Sequence, residues 1–187
     1  VNIEERLMVV EVRQYIQDNI LIFDGAMGTM LQKKGLQVGE NTEVFGNENP
    51  DILVDIHKEY YEAGSNVATT NTFGCNELKL PQGYDLEKVI DSAVKAAKKA
   101  ASLVNNDNEK YVALDIGPIG EMLEPMGTLS FDRAYEIFKR QAIQGEKSGA
   151  NLIIIETMMD LYEAKAAVLA AKENTNLPVF CTMTFDE

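Results

Sequence analysis

The sequence contains too few cysteines and histidines for several classes of functional site. Two cysteines among 187 residues cannot form a disulfide framework, and they fall short of the three or four ligands of a zinc site. We expect Cys75 and Cys181 to be packed in the core, since both lie in or beside apolar runs. The only histidine, His57, falls in a predicted helix, where we expect packing or solvation rather than catalysis.

Basic residues and long apolar runs are also scarce. There are 17 Lys and Arg against 30 Asp and Glu, a formal charge of −13 that argues against a nucleic-acid surface. No apolar run approaches the roughly 20 residues that cross a bilayer. The amphipathic start carries Glu4, Glu5 and Glu11, which is unlike a signal peptide. We therefore expect a cytoplasmic protein that binds a small molecule or a protein partner, with no role for nucleic acid or membrane.

Short apolar runs alternate with helical patterns along the chain. Five such runs, at 20–23, 66–70, 111–115, 152–156 and 178–182, predict strands buried on both faces of a parallel sheet. Apolar spacing and end signals predict helices over 50–63, 86–104, 131–148 and 161–172, and another before the first strand. The segment 31–49 is predicted to be a long irregular loop. The alternation indicates an α/β fold with a parallel sheet.

Two architectures accommodate five βα units. A flavodoxin-like sheet is complete with five strands, whereas a TIM barrel has eight. The sequence ends a few residues after the fifth predicted strand without a closing helix, and eight such units would need about 300 residues, within the range of a barrel. We therefore predict a (β/α)8 TIM-barrel type of fold, of which residues 1–187 supply about five βα units behind a short N-terminal helix. The flavodoxin-like small-ligand-binding domain is the alternative.

Acidic side chains stand at three of the predicted strand ends. Asp24, Asp115 and Glu156 each end or follow an apolar strand, where an unpaired carboxylate is costly. Ligands of such folds bind at the carboxyl ends of the strands. Converging carboxylates could hold an ammonium group, and the backbone amides of Gly25–Gly28 could hold a carboxylate, which together outline an amino-acid site. The alternative is that these side chains cap the amides of the loops that follow them.

Other chemistries find little support in the pattern. No lysine lies on a predicted strand, which disfavours a Schiff-base enzyme. The glycine spacing in Gly25–Gly28 and Gly117–Gly120 matches neither the dinucleotide-binding nor the P-loop pattern.

Four motifs at these strand ends resemble the homocysteine S-methyltransferase family of the cobalamin-dependent methionine synthase type. They are DGAMGT at 24–29, TNTFG at 70–74, DIGP at 115–118 and ETM at 156–158. The resemblance covers residues 19–187. One motif alone would be weak, but four in this order and spacing are specific.

The resemblance implies a barrel that binds homocysteine and zinc and transfers a methyl group to the zinc-bound thiolate, a methyltransferase step of methionine biosynthesis. It implies that other modules carry methylcobalamin and methyltetrahydrofolate. Carried over by motif, Asp24 and Glu156 contact the homocysteine amino group. The remaining implied substrate-binding positions hold the carboxylate or line the pocket: Gly25, Ala26, Met27, Gly28, Thr70 and Asn71.

The sequence departs from the family at the metal site. The family's zinc cysteines follow strands six and eight, and neither Cys75 nor Cys181 occupies such a position. We therefore expect no metal ligand and no catalytic residue within this chain, and no activity without the missing C-terminal half of the barrel or a second copy. The exposed edge of the fifth strand predicts dimerisation or domain swapping. A non-catalytic half-barrel that serves as an assembly module is a further alternative.

Overall fold

The computed structural model describes residues 12–185. Residues 12–18 are helical. The helices that follow are α1 (Met27–Lys33), α2 (Thr42–Glu48), α3 (Pro50–Ala63), α4 (Leu86–Leu103), α5 (Phe131–Ser148) and α6 (Leu161–Asn174). The strands are β1 (Val67–Thr69), β2 (Tyr111–Ile116), β3 (Leu152–Met158) and β4 (Val179–Met183). None of the helices in this part of the chain is long and apolar enough to cross a membrane.

The four strands form one parallel sheet in the order β1-β2-β3-β4. The predicted strand at 20–23 is only partly present, since it forms a single parallel bridge between Phe23 and Val67. Ile20 is 83% exposed and Ile22 is also exposed, whereas Leu21 and Phe23 are partly buried, so only one face of this segment packs against the core. It is nevertheless fixed beside β1, because the Asp24 amide donates to the Val67 carbonyl at 2.9 Å.

The two faces of the sheet are covered differently. Val112, Leu114 and Ile116 of β2 belong to a large core shared with helices α3 to α6. Tyr111 and Ala113 point to the other face, in a smaller cluster that also contains Val12 of the first helical stretch. A flavodoxin-like sheet has the strand order 2-1-3-4-5 with helices on both faces. The sequential order, together with the position of α3 to α6 on one face of the sheet, contradicts that alternative and is typical of a barrel.

The helix ends follow local sequence signals. Ser130 accepts a hydrogen bond from the Arg133 amide at the start of α5, and Asp160 accepts one from the Tyr162 amide at the start of α6. Pro50 occupies the first turn of α3, and Gly64 ends that helix with a φ of 110°, which favours glycine. The predicted helices are confirmed, with ends that differ by no more than two residues.

The segment 31–49 was predicted to be irregular, and that prediction is wrong. It contains the end of α1 and the whole of α2, which is capped by Asn41, whose side chain accepts from the Val44 amide at 2.8 Å. Each of these helices has seven residues, too few to show a clear apolar period in the sequence. They pack against the main core through Leu31 of α1, which is buried in it, and Phe45 of α2, which is partly buried against it.

The predicted helix before the first strand is confirmed for residues 12–18. The part of that prediction that falls on residues 1–11 lies outside the described residues.

We predict that Gly145→Ala lowers the free energy of unfolding by about 1–3 kcal/mol, because an added methyl group overpacks a core that is already tightly packed. A Cβ at this position would lie 2.4 Å from Cδ2 of buried Leu114, where α5 approaches β2. The overlap outweighs the gain in helix propensity of about 1 kcal/mol. Urea unfolding measures the effect, and exposed Ser102→Ala on α4 is the control. A Gly145→Ala variant as stable as the control would contradict this packing.

Candidate functional site

A cavity of about 790 Å³ lies at the carboxyl ends of the strands. Every predicted substrate-binding residue lines it: Asp24, Gly25, Ala26, Met27, Gly28, Thr70, Asn71 and Glu156. Asp115 and apolar side chains including Phe23, Ile154 and Phe180 complete much of the wall. The cavity therefore combines several carboxylates with an apolar surface. No Lys, Arg or His among residues 12–185 lines it.

Asp24 is fixed by two hydrogen bonds from one residue of β1. Its Oδ2 accepts from the Thr69 amide at 2.9 Å, and its Oδ1 accepts from the Thr69 hydroxyl at 2.8 Å. The side chain is 1% exposed. Burial raises the pKa of Asp24 to about 7; the two bonds from Thr69 oppose the rise, and the charge of Glu156 adds to it. Asp24 therefore changes charge near neutral pH.

His57 lies close to Asp24 but is not among the residues that line the cavity. It is fully buried, and its Nδ1 is 3.9 Å from Oδ2 of Asp24, too long for a hydrogen bond. Neither ring nitrogen has a hydrogen-bond partner among the described residues. Burial lowers the pKa of His57 to about 4, so the ring is neutral at pH 7. The packing expected for this histidine is confirmed, but its proximity to Asp24 was missed.

One sequence signal could have indicated that proximity. His57 lies four residues from Leu53 and four from Tyr61, so it interrupts a buried apolar stripe of α3. A lone histidine in such a stripe faces the sheet, and the strand end beside it carries Asp24.

Asp115 lies at the end of β2 and is 6% exposed. Its backbone is held on both sides, since its amide donates to the Thr70 hydroxyl and its carbonyl accepts from the Thr72 hydroxyl. Its Oδ1 has no hydrogen-bond partner among the described residues. Burial raises the pKa of Asp115 well above its usual range, and the charges of Glu156, Asp24 and Glu43 raise it further.

Glu156 stands near the carboxyl end of β3 and is half-buried, and burial raises its pKa. The next residue, Thr157, has a φ of 61°, which is strained for a β-branched side chain. Strain of this kind concentrates at functional sites. The Thr157 amide donates to the Thr182 hydroxyl of β4 at 3.2 Å, and the pairing of β3 with β4 is irregular between Ile155 and Met158.

The segment Gly25–Gly28 forms an open backbone wall. Ala26 precedes α1 and provides no side-chain cap, and a Cβ on Gly28 would meet no atom within 4 Å. The Tyr60 hydroxyl donates to the Ala26 carbonyl at 3.0 Å and so fixes the segment against α3. A Cβ on Gly25 would lie only 3.0 Å from the Tyr60 ring, so glycine permits this close approach.

Thr70 and Asn71 are both engaged by the protein itself. The Thr70 hydroxyl shares a hydrogen bond of 2.7 Å with the Thr72 hydroxyl, and the Asn71 amide donates to the Thr42 carbonyl. Buried Glu43 of α2 accepts from the Gly74 amide at 2.6 Å. Sequence reasoning missed Glu43, which fastens α2 to the loop after β1.

The two cysteines lie in different environments. Cys75 is fully buried, as predicted, and burial raises the pKa of its thiol. The prediction that Cys181 belongs to the core is wrong, since it is exposed on β4 and lines the cavity. Among the described residues β4 pairs only with β3, so its other edge and much of its surface remain open. Within residues 12–185, no three or more His, Cys, Asp or Glu side chains form a group suited to a metal ion.

Comparisons with known proteins find one family model and several relatives that match most of this chain. The family model for homocysteine S-methyltransferase matches residues 21–187. A methionine synthase of Mycobacterium leprae (strain TN) is 32% identical over 187 residues, covering 91% of this chain and 15% of that protein. One from Mycobacterium tuberculosis (strain ATCC 25618 / H37Rv) is 30% identical over 199 residues, covering 98% of this chain and 16% of that protein. The chain thus spans a small part of these relatives.

Among solved structures, the homocysteine methyltransferase MmuM from Escherichia coli has a similar fold. The apo form gives a TM-score of 0.76 at 24% identity, covering 92% of this chain and 63% of that chain. The oxidised form gives 0.81 at 23% identity, covering 91% and 64%. A metallated form gives 0.76 at 22% identity, covering 90% and 64%. The fold is therefore TIM-barrel-like, with a parallel four-stranded sheet.

We predict that Asp24 and His57 have opposite effects on the pH dependence of stability. Between pH 4 and 6.5 the unfolded chain binds a proton at His57 that the folded chain lacks, so stability falls as the pH falls through this range. Between pH 3.8 and 7 the folded chain holds an extra proton on Asp24, so stability falls as the pH rises. Each slope is about 1.4 kcal/mol per pH unit, and the two cancel where they overlap.

Asp24→Asn removes the opposing slope of Asp24 and leaves that of His57. Between pH 4.5 and 6.5 the unfolding free energy of this variant should therefore increase with pH by about 1.4 kcal/mol per pH unit more than that of wild type. His57→Gln should change the slope by a similar amount in the opposite sense. Urea unfolding at several pH values measures both. Profiles parallel to wild type in both variants would contradict the assigned protonation states.

We predict that one thiol per folded chain reacts with a disulfide reagent such as DTNB, because Cys181 is exposed and Cys75 is buried. Unfolding in urea should raise the count to two. Cys181→Ser should abolish the native reaction and Cys75→Ser should preserve it. Two rapidly reacting thiols in the native protein would contradict the burial of Cys75.

Proposed function

Because the chain belongs to the homocysteine S-methyltransferase family, we propose that its cavity binds the amino-acid end of homocysteine. In this proposal the longer protein is a methyltransferase of the methionine synthase type, which transfers a methyl group to the homocysteine thiolate and gives methionine. The observation that supports it best is the convergence of Asp24, Asp115 and Glu156 on one cavity without a basic side chain among its described lining residues.

Asp24 and Glu156 are the proposed partners of the substrate ammonium group. Both line the cavity, and each raises the electrostatic cost of ionising the carboxylates around it. An ammonium ion placed between them would offset that cost, since an opposite charge within about 4–6 Å favours the ionised form. A ligand with a cationic end is therefore favoured over an uncharged or anionic one.

The backbone of Gly25, Ala26, Met27 and Gly28 is proposed to hold the substrate carboxylate. Backbone amides suit a carboxylate because they donate hydrogen bonds without adding a positive side chain. The open space beside Gly28 leaves room for such a group. Thr70 and Asn71, whose side chains are held by Thr72 and Thr42, serve as a fixed wall of the pocket.

The residues of this chain do not fit the zinc that the family implies. Cys75 is buried and does not line the cavity, and Cys181 lines it without a second thiol. We propose that the zinc ligands lie outside residues 12–185 and that activation of the sulfur requires them. Methylcobalamin and methyltetrahydrofolate are assigned to other modules of a longer protein, in keeping with the small share of each methionine synthase that this chain covers.

We further propose that residues 1–187 form about five βα units of an eight-unit barrel. The open edge of β4 and exposed Cys181 support this proposal, because they mark the side on which a further strand would pair. The missing half of the barrel is the expected occupant of that edge, and a second copy of the chain is the alternative.

We predict that Asp24→Asn and Glu156→Gln each weaken L-homocysteine binding at least about tenfold, since each removes a charge-assisted hydrogen bond to the ammonium group. Isothermal titration calorimetry of this chain at pH 7.5 measures the dissociation constants. The control is Glu136→Gln, an exposed carboxylate of α5 that pairs with Lys139.

The control variant should bind as wild type does. Binding that is unaffected by both pocket substitutions, or that requires neither the amino nor the carboxylate group of the ligand, would exclude this assignment of the cavity.

A further inference from the structure

We propose that Asp115 is a specificity-determining residue, the third acceptor for the substrate ammonium group, and that it selects primary amines over N-alkylated ones. This inference rests on the proposed function and assigns a role to a residue that the family resemblance leaves without one. A primary ammonium group carries three N–H donors. The cavity offers three carboxylates, on Asp24, Asp115 and Glu156.

The unpaired oxygen of Asp115 is the first support. Four buried side-chain atoms in the described part of the chain have no hydrogen-bond partner, two of them on His57 and one each on Asp115 and Gln141. Only Asp115 also lines the cavity. A buried acceptor without a donor is costly, so Oδ1 of Asp115 needs a partner that the described residues do not supply.

Comparison with the other buried acidic side chains supports a role in binding. Oδ1 and Oδ2 of Asp24 accept from Thr69, Oε1 of Glu43 accepts from the Gly74 amide, and Oε1 of Glu163 accepts from the Ile119 amide. Each of these carboxylates fastens one segment of the chain to another. Oδ1 of Asp115 accepts no hydrogen bond from any described residue, although Asp115 is as deeply buried as Glu43 and Glu163.

The position of Asp115 is fixed before any ligand arrives. Its amide donates to the Thr70 hydroxyl at 3.1 Å and its carbonyl accepts from the Thr72 hydroxyl at 2.7 Å. In the sheet register it lies beside Ile154 of β3, an apolar residue of the cavity wall. Because Asp115 is buried, a hydrogen bond that its carboxylate accepts from a cation would be strengthened by the low dielectric constant.

The surrounding charges favour a cationic ligand as the missing partner. Asp24 from the segment before α1, Glu156 from β3 and Glu43 from α2 all act on Asp115 with negative charge. An anion would add repulsion to these charges, and a carbonyl group would bring no hydrogen-bond donor to the ionised carboxylate. An ammonium group would supply both the donor and the charge.

The test compares L-homocysteine with N-methyl-L-homocysteine, which has one N–H donor fewer, by calorimetry on this chain. Wild type should prefer the primary amine at least about tenfold. Asp115→Leu should lose that preference and bind homocysteine at least about tenfold more weakly. The urea midpoint of this variant should stay level or rise, because an unsatisfied acceptor has been replaced by an apolar side chain.

Asp115→Asn provides a second variant that keeps the shape of the site and one acceptor oxygen. Its preference should fall to a value between those of wild type and Asp115→Leu. The matched control is Glu163→Gln, a buried carboxylate away from the cavity lining, which should keep the full preference.

The outcomes separate this inference from the proposed function. Absence of homocysteine binding by wild type would overturn both. Binding that depends on Asp24 and Glu156 while both Asp115 variants keep the wild-type preference would overturn only the role of Asp115. A lowered urea midpoint in both Asp115 variants with an unchanged preference would show a structural role instead, and would equally overturn it.

Discussion

Desolvation of three neighbouring carboxylates is the constraint on which the pocket depends. Asp24, Asp115 and Glu156 all have a raised pKa, and burial is the largest cause for each. Water would remove this cost, but Asp24 and Asp115 are buried, which limits the access of water to them. A cation in the cavity would offset the same cost, so the acidic pocket favours a ligand with a positively charged end.

The fold holds these groups together through backbone register rather than through ion pairs. Asp24 is tied to β1 by Thr69, and Asp115 is tied to the loop after β1 by Thr70 and Thr72. The position of Glu156 beside them is set by the register in which β3 pairs with β2. A shift of one residue in the pairing of these strands would move an acidic side chain to the face of the sheet that packs against the helices. The sequential strand order therefore matters to the site as much as the acidic residues themselves.

Much of this arrangement could be predicted from the sequence, because parallel strands place their carboxyl ends at one edge. The strands at 66–70, 111–115, 152–156 and 178–182 and the cavity position of Asp24 and Glu156 follow from apolar runs and the residues that end them. The helices at 27–33 and 42–48 were missed because seven residues show no clear period. Cys181 was assigned to the core because its strand is apolar, but burial depends on neighbours beyond β4. Hydrogen-bond partners, which distinguish Asp115 from Asp24, are set by tertiary contacts that no local pattern contains.

The central claim is that the acidic groups of the pocket, whose pKa values are raised in the free protein, release protons to the solvent when a cationic ligand binds beside them. Calorimetric titration of this chain with L-homocysteine at pH 6.5, without added metal and in buffers of different ionisation enthalpy, measures the protons exchanged on binding. A net release of protons is expected, because an ammonium group lowers the pKa of carboxylates that are partly protonated in the free protein. Zero exchange or net uptake would contradict the account.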